Sequence, residues 1–190
     1  MDVQGWNDRY RTKARASEDL DSRPTKLLAE TAGGLIPGTV LDLACGAGRN
    51  AVWLAQNGWD VTAVDGAEAA IAILATQARE LGLAIKAVTA DLQKGGYEIQ
   101  ANSWDLITIC YYLQRDLIET AKRGVRPGGT LLVIAHITEA GEEPTESRLR
   151  PGELEKYFSG WDIVHRHEGK PDDPYHRRSV AEVVARKPAY

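Results

Sequence analysis

The run Gly46-Ala47-Gly48 and the carboxylate of Asp42, four residues ahead of it, pose the chemical question in this sequence. Glycines in such a loop let a ligand approach the backbone and leave helix-start N–H groups open to an anion. The stretch from Gly46 to Ala51 fits the dinucleotide pattern G-x-G-x-x-G/A, a weak signal that also suits a plain strand-to-helix turn. Asp42 argues against a pyrophosphate, which its charge would repel, and for a ligand carrying an ammonium group and no phosphate. Asp65, in Val64-Asp65-Gly66, can accept hydrogen bonds from both hydroxyls of a ribose, whether of NAD or of another nucleoside. Asp91, in Ala90-Asp91-Leu92, can receive an adenine amino group. Each acid alone also suits a helix N-cap or a solvated loop end. Together they specify a cationic adenosine ligand, and S-adenosylmethionine is of that kind.

The elements that must position these residues alternate. Thr39 to Cys45 reads as a first strand, Arg49 to Asn57 as a helix, Asp60 to Asp65 as a second strand and Gly66 to Leu81 as an Ala-rich helix. Ala84 to Ala90 is a third strand, placed near an edge by Lys86. Trp104 to Cys110, almost wholly apolar, reads as a buried parallel strand. Leu113 to Arg123 is a helix, Arg126-Pro127-Gly128-Gly129 a turn, and Thr130 to Ile137 a fifth strand. Thr138 to Arg150 is a polar loop and Glu153 to Phe158 a short helix. Trp161 to Glu168 and Ser179 to Arg186, joined by Pro171-Asp172-Asp173-Pro174, are too close for a helical crossover and form an antiparallel hairpin. Trp6 to Ala16 and Pro24 to Ala32 supply helices before the first strand. The expected fold is α/β, a doubly wound Rossmann-like sheet whose ligand sits at the carboxyl ends of the strands.

The 190 residues suit one domain, and 43% apolar with 26% charged residues exclude disordered and fibrous classes. A net charge of -4 with a pI near 5.6 disfavours nucleic acid or membrane as partner. No apolar run reaches the roughly 18 residues of a membrane span. The N-terminus lacks a basic start and an apolar core, and two cysteines are too few for a disulfide scaffold, so a reduced cytoplasmic setting is expected. No Cys/His cluster has zinc spacing, and no metal is expected.

In Val40-Leu41-Asp42-Leu43-Ala44-Cys45-Gly46-Ala47-Gly48-Arg49-Asn50, Val64-Asp65, Ala90-Asp91-Leu92, Trp104-Asp105-Leu106-Ile107 and Arg126-Pro127-Gly128-Gly129-Thr130-Leu131, the chain resembles the class I S-adenosylmethionine-dependent methyltransferases. The resemblance runs from about Thr39 to Ile137. It is nearest to the tellurite-resistance and thiopurine methyltransferase group, through the Gly48-Arg49-Asn50 ending, Trp6-Asn7-Asp8-Arg9-Tyr10, Gly152 to Phe158 with Gly160-Trp161, and Ala185-Arg186-Lys187. It implies a seven-stranded sheet with the last strand antiparallel, and a single domain over 1–190 with an N-terminal helical cap at about 1–35. It also implies a cofactor held by the loop of Ala44, Gly46, Gly48 and Arg49, with Asp42 beside it and Tyr10 covering it. Asp65 and Gly66 would take the ribose, Ala90, Asp91 and Leu92 the adenine, and Cys110 and Tyr111 the methyl-donor side. Ala44 stands where the family often has glycine.

Methyl transfer from a sulfonium is an in-line displacement in which the donor carries the driving force. A soft anion, thiolate or chalcogen oxyanion, needs no general base, whereas an alcohol or amine more often does. Acceptor positioning is expected from Tyr112, His176 and Arg177, the guanidinium offering oxyanions a planar fork of donors. The His-Arg pair resembles a feature of the tellurite type. Arg178, Arg148, Arg150 and His136 lie on the same loops, and Tyr112 or His136 could serve as a base. The Asp/Asn-Pro-Pro-aromatic segment of base-amine methylases is replaced by Cys110-Tyr111-Tyr112-Leu113. The expected function is methyl transfer to a small molecule, preferably a soft anion. The alternatives are O- or N-methylation of a small metabolite, a regulatory module that binds the cofactor without turnover, and, more distantly, a dehydrogenase.

Overall fold

The computed structural model describes residues 2–16 (backbone only for 13–16), 23–143, 145–173 and 176–189. Pro144, Pro174 and Tyr175, placed in connections by the sequence, lie outside the described residues. The fold is α/β, with a mixed seven-stranded sheet in the order β3-β2-β1-β4-β5-β7-β6. The chain divides into two compact units, Met1–Glu98 and Ile99–Tyr190.

In the first unit, α1 (Val3–Ala16) and α2 (Lys26–Gly33) precede β1 (Thr39–Leu43), α3 (Arg49–Gln56), β2 (Asp60–Asp65), α4 (Glu68–Glu80), β3 (Ile85–Thr89) and a 3₁₀ turn, Leu92–Lys94. The three strands are parallel, with Leu43 opposite Val64 and Asp65 opposite Thr89. This register brings their carboxyl ends level. Four of the five β1 residues are buried, as a strand covered on both faces requires. No residue of β3 is fully buried and the strand ends the sheet, so Lys86 marks an edge as expected. Helix α4 buries Ala70, Ile71, Leu74 and Ala78, one face of a helical repeat. It starts at Glu68, two residues later than expected from Gly66, because Asp65 holds the Ala67 N–H in the turn before it.

In the second unit, β4 (Trp104–Cys110), α5 (Arg115–Gly124), β5 (Val125–His136), α6 (Glu153–Lys156), β6 (Asp162–Gly169) and β7 (Val180–Arg186) follow. Strands β4 and β5 are parallel, and β7 runs antiparallel to both β5 and β6, so the terminal hairpin is present. Residues Thr130 to Ala135 are buried without interruption.

The expected turn at Arg126-Pro127-Gly128-Gly129 is instead part of β5. The β4 register jumps there, Trp104 opposing Val125 and Leu106 opposing Thr130, so the extra residues bulge out of the ladder. Gly128 sits at φ +77° and donates its N–H to the Lys187 carbonyl, while the Lys187 N–H returns to Gly129. Strand β5 ends at His136, and Ile137 makes a separate parallel bridge to Leu149. Helix α5 begins at Arg115 and not at Leu113.

The Lys187 ammonium donates to Asn102 Oδ1 at 2.9 Å and to the carbonyls of Lys122 and Val125 at 3.1 and 2.7 Å. It thus closes the C-terminal end of α5, where carbonyls lack intrahelical partners and a cation is favoured. Lys187→Met keeps the stem and removes these bonds. It is expected to lower unfolding free energy by about 1–2 kcal/mol, read from the urea midpoint at unchanged slope. An unmoved midpoint would deny Lys187 this capping role.

Candidate functional site

At the end of β1 the backbone turns through three left-handed residues, Ala44 (φ +55°), Gly46 (+56°) and Gly48 (+86°). The Gly48 N–H closes the turn on the Cys45 carbonyl at 3.0 Å, and its own carbonyl receives the Val52 N–H of α3 at 2.8 Å. Glycine suits this conformation, and alanine tolerates it at a cost of about 1–2 kcal/mol. That cost gives a backbone reason for the glycine found in the family where Ala44 stands.

The loop N–H groups expected to stay open for an anion are occupied from within the first unit. Gly46 donates to Asp65 Oδ2 at 2.8 Å, and Ala67 donates to Asp65 Oδ1, also at 2.8 Å. The Ala47 N–H donates to the Tyr10 hydroxyl oxygen. A carboxylate and a phenol therefore face loop N–H groups that a pyrophosphate would need. Burial pushes the Asp65 carboxyl above its ordinary range, against the backbone N–H groups of Ala67, Gly46 and Gly66, which favour the charged form. Burial and the nearby Asp65 raise the Tyr10 hydroxyl to about 12, so it stays a neutral phenol.

Helix α1 delivers Tyr10. A Cβ at Gly46 would strike the Tyr10 hydroxyl, and one at Gly66 would lie 2.8 Å from Val3 Cγ2, so α1 covers both glycines closely. Asn7, which sequence reasoning passed over, anchors the helix: its Oδ1 accepts the Ala69 N–H at the start of α4, at 2.8 Å. Trp6 is 38% exposed beside Tyr10, and the Arg9 guanidinium lies 5.2 Å from its ring centroid.

The other first-unit candidates divide. Asp42 is 1% exposed, so its carboxylate lies beneath the loop and not on its surface, where it and Asp65 help burial push the Cys45 thiol up. Arg49 donates to Thr25 Oγ1 at 3.1 Å, and Asn50 Oδ1 accepts the Thr25 N–H at 2.8 Å, tying the loop to the start of α2. Asp91 takes the N-cap role: Oδ1 accepts the Gln93 N–H at 3.1 Å, and Oδ2 pairs with Lys94. Ala90 and Leu92 are buried on either side of it.

In the second unit the residue after β4, Tyr111 (φ +60°), is a second non-glycine residue in left-handed conformation near an expected site, after Ala44. Such backbone costs about 1–3 kcal/mol and persists where surrounding contacts hold it. Here the Tyr111 hydroxyl donates to Asp173 Oδ2 at 2.9 Å, and its ring stacks on His176 with centroids 3.3 Å apart. His136, the last residue of β5, lies against both rings, at centroid distances of 5.9 and 5.6 Å. Asp173, 6% exposed, was read only as part of a connection.

The cluster is framed by charges. Glu142 accepts from Arg148 at 2.5 Å and from Arg178 at 3.0 Å, and Glu139 accepts from Lys170 and from the Ser179 N–H and hydroxyl. These donors hold Glu139 down to about 2. Arg115, at the start of α5, grips the loop from its other side through Glu153 at 2.7 Å and the carbonyls of Glu146 and Arg148. Of the expected acceptor residues, His176 joins the cluster. Tyr112 turns its hydroxyl to Gln114 Oε1 at 3.0 Å. Arg177 is exposed, and Arg178 is the arginine tied in through Glu142. Cys110 is half-buried at the end of β4 and forms no disulfide.

Among the described residues no group of three acidic, His or Cys side chains is placed to hold a metal, and no helix is long and apolar enough to cross a membrane.

Known proteins resemble this chain in sequence and in fold. A probable S-adenosyl-L-methionine-dependent methyltransferase TehB of Haemophilus influenzae is 29% identical over 168 residues, 80% of this chain and 58% of that protein. Hemagglutinin 1 of Eikenella corrodens is 26% identical over 148 residues, 74% of this chain and 49% of that protein. The chain thus spans between about half and three fifths of the length of these curated relatives. The crystal structure of TehB from Haemophilus influenzae superposes with a TM-score of 0.72 at 28% identity, covering 84% of this chain and 61% of that one. The model of the family described as tellurite resistance protein TehB matches residues 12–176. With a match over most of its length, and with the fold of the class I methyltransferases, the chain belongs to the tellurite resistance protein TehB family.

Proposed function

We propose that this chain is an S-adenosylmethionine-dependent methyltransferase acting on a small acceptor, preferably a thiol or a chalcogen oxyanion. The observation that carries the cofactor reading is the Asp65 carboxylate spanning the Gly46 and Ala67 N–H groups. It takes up loop N–H groups that a pyrophosphate would need, and each of its oxygens keeps a second lone pair for a ribose hydroxyl. A nucleoside with a cationic tail fits that donor set, and a dinucleotide does not. When bound, the cofactor supplies a methyl group already activated by its sulfonium.

The chain's own residues then bind and orient. Asp65 and Gly66 hold the ribose, and Ala90, Asp91 and Leu92 flank the adenine. Ala44, Gly46, Gly48 and Arg49 shape the loop over the buried Asp42, and Tyr10 covers it against water. Tyr111 and His176 belong to the acceptor side, where Arg177 adds an exposed cation to Arg148 and Arg178, each paired with Glu142. The exposed Arg177 guanidinium offers an anionic acceptor a planar fork of donors. A reduced cytoplasmic setting suits Cys45 and Cys110, neither of which is in a disulfide.

The test is calorimetric titration with S-adenosylmethionine, S-adenosylhomocysteine and NAD, followed by methyl transfer to the 5-thio-2-nitrobenzoate anion. The expected result is micromolar binding of both sulfur nucleosides, none of NAD, and transfer to the thiolate. Arg177→Ala should raise the acceptor KM about three- to tenfold while leaving cofactor affinity unchanged. Binding without transfer to any acceptor would favour a regulatory module, and tight NAD binding would restore the dehydrogenase reading.

A further inference from the structure

We propose that His136 is a further catalytic residue, taking the proton of a thiol or hydroxyl acceptor on its Nδ1 atom. This deepens the methyltransferase reading and rests on it.

The argument starts from the ring's two nitrogens. The Ser179 backbone favours the protonated ring. Nδ1 is buried and has no hydrogen-bond partner, so the neutral tautomer with its proton on Nε2 leaves no N–H stranded there. A neutral imidazole in that tautomer presents a bare lone pair at Nδ1. The backbone on both sides is pinned: the His136 carbonyl accepts the Leu149 N–H at 2.9 Å, and the Ile137 N–H donates to Ser179 at 3.1 Å. The main chain that carries the ring is therefore fixed. Burying an acceptor without a partner is costly, and native proteins seldom carry that cost without a use for the atom.

A second orphan lies beside the first. Thr138 Oγ1 is likewise buried with no partner. The segment from His136 to Thr138 is held in extended pairing by the Leu149 N–H on His136 and the Thr138 N–H on Leu149, so residues two apart share a face. One nitrogen acceptor and one hydroxyl on the same face match a ligand bearing an S–H or O–H group, which donates to Nδ1 and pairs with the threonine.

The surroundings favour the neutral, proton-accepting ring. Burial lowers its proton affinity below the ordinary histidine value, and Arg178 and Arg148 lower it further. The Ser179 contact and Glu139 act in the opposite direction. From the β4–α5 connection Tyr111 faces the ring, and from the β6–β7 connection His176 does, with Asp173 on the Tyr111 hydroxyl. Solvent does not touch Nδ1, so its partner arrives with the acceptor.

In the step, the acceptor S–H or O–H bond breaks and its proton passes to Nδ1. The freed pair on sulfur or oxygen forms the bond to the methyl carbon. The bond from that carbon to the sulfonium sulfur breaks, its electron pair staying on sulfur. The ring returns the proton to water after product leaves.

Two measurements test this on the full chain. The first is ¹⁵N NMR of histidine-labelled protein, which reads the tautomer whether or not the protein is active. His136 is expected with its proton on Nε2 and none on Nδ1 at pH 7.5, and a proton on Nδ1 would overturn the proposal. The second compares His136→Gln with the unaltered chain on two acceptors. One is 2-mercaptoethanol, protonated at that pH, and the other is 5-thio-2-nitrobenzoate, already a thiolate. Loss of the base should slow transfer to 2-mercaptoethanol about 10²–10⁴-fold and leave transfer to the thiolate within threefold. The unaltered chain should also lose rate with 2-mercaptoethanol as pH falls through the His136 transition, a limb absent for the thiolate. Equal losses with both thiols, or S-adenosylmethionine binding with transfer to neither, would overturn the assignment. Failure to bind S-adenosylmethionine at all would instead overturn the methyltransferase reading, leaving the NMR result to decide whether Nδ1 is the open acceptor.

Discussion

Asp65→Ala should weaken S-adenosylmethionine binding about 5- to 150-fold, a loss of about 1–3 kcal/mol, because the ribose loses charge-assisted hydrogen bonds. The geometry makes the prediction sharper than strand position alone would. The Asp65 carboxylate is fixed by two N–H groups at 2.8 Å, so it is oriented before the ligand arrives and binding need not order it. Two opposing effects act on the fold itself. Truncation orphans the Gly46 and Ala67 N–H groups, but it also removes a carboxylate whose charged form is disfavoured by burial.

The sign of that second effect follows from linkage. A carboxyl raised on folding binds its proton more tightly in the folded state than in the unfolded one. Its burden on stability is therefore full at neutral pH and lifts as pH falls through the folded value toward the unfolded one. Asp65→Ala removes this burden, so its melting temperature should fall less at pH 7.5 than at pH 4. Calorimetric affinity together with melting at the two pH values checks both statements. Unchanged affinity would end the ribose assignment, and an equal fall at both pH values would deny that the carboxylate is held at a cost.

How much of this was legible in the sequence depended on how local the cause was. Asp60–Asp65 and Trp104–Cys110 were expected with their observed bounds, since a short apolar run between turn residues carries its own signal. Asp65 was legible as a carboxylate at a strand end, but its grip on Gly46 was not, because that contact joins two loops. The start of β5 was misread for the same reason. Pro127-Gly128-Gly129 has the composition of a turn, and only pairing with the distant Lys187 backbone makes it a bulge within a strand. Asn7, Asp173 and Glu142 carried no signal, as their roles arise from partners far along the chain. His136 was visible as a candidate base, yet only the partnerless Nδ1 distinguishes it from a structural histidine. Arg177 was chosen over Arg178, and neighbouring arginines cannot be ranked before the fold shows which one meets a glutamate.

The Gly46-Ala47-Gly48 loop was the most legible feature, and its two glycines should fail differently when replaced. Gly48→Ala is expected to lower unfolding free energy by about 2–5 kcal/mol. A left-handed backbone at φ +86° costs an alanine about 1–2 kcal/mol. Its methyl group would also drive into Leu74, meeting Cγ at 2.9 Å and both terminal carbons. Leu74 is fully buried on α4, so it cannot swing out, and overpacking of that kind costs about 1–3 kcal/mol more. At Gly46 the obstacle is the end of the Tyr10 side chain, on a residue only partly buried. Gly46→Ala should therefore cost about the backbone strain alone, about 1–2 kcal/mol, and displace Tyr10 from the Ala47 N–H. The two variants separate what the loop does for the fold from what it does for the ligand. In urea the Gly48 variant should have the lower midpoint. Among molecules still folded, the Gly46 variant should show the larger loss of S-adenosylmethionine affinity. Equal midpoints would mean that Leu74 does not hold the loop against α4, and the close approach of α3 to α4 would lose its place in setting the cofactor turn.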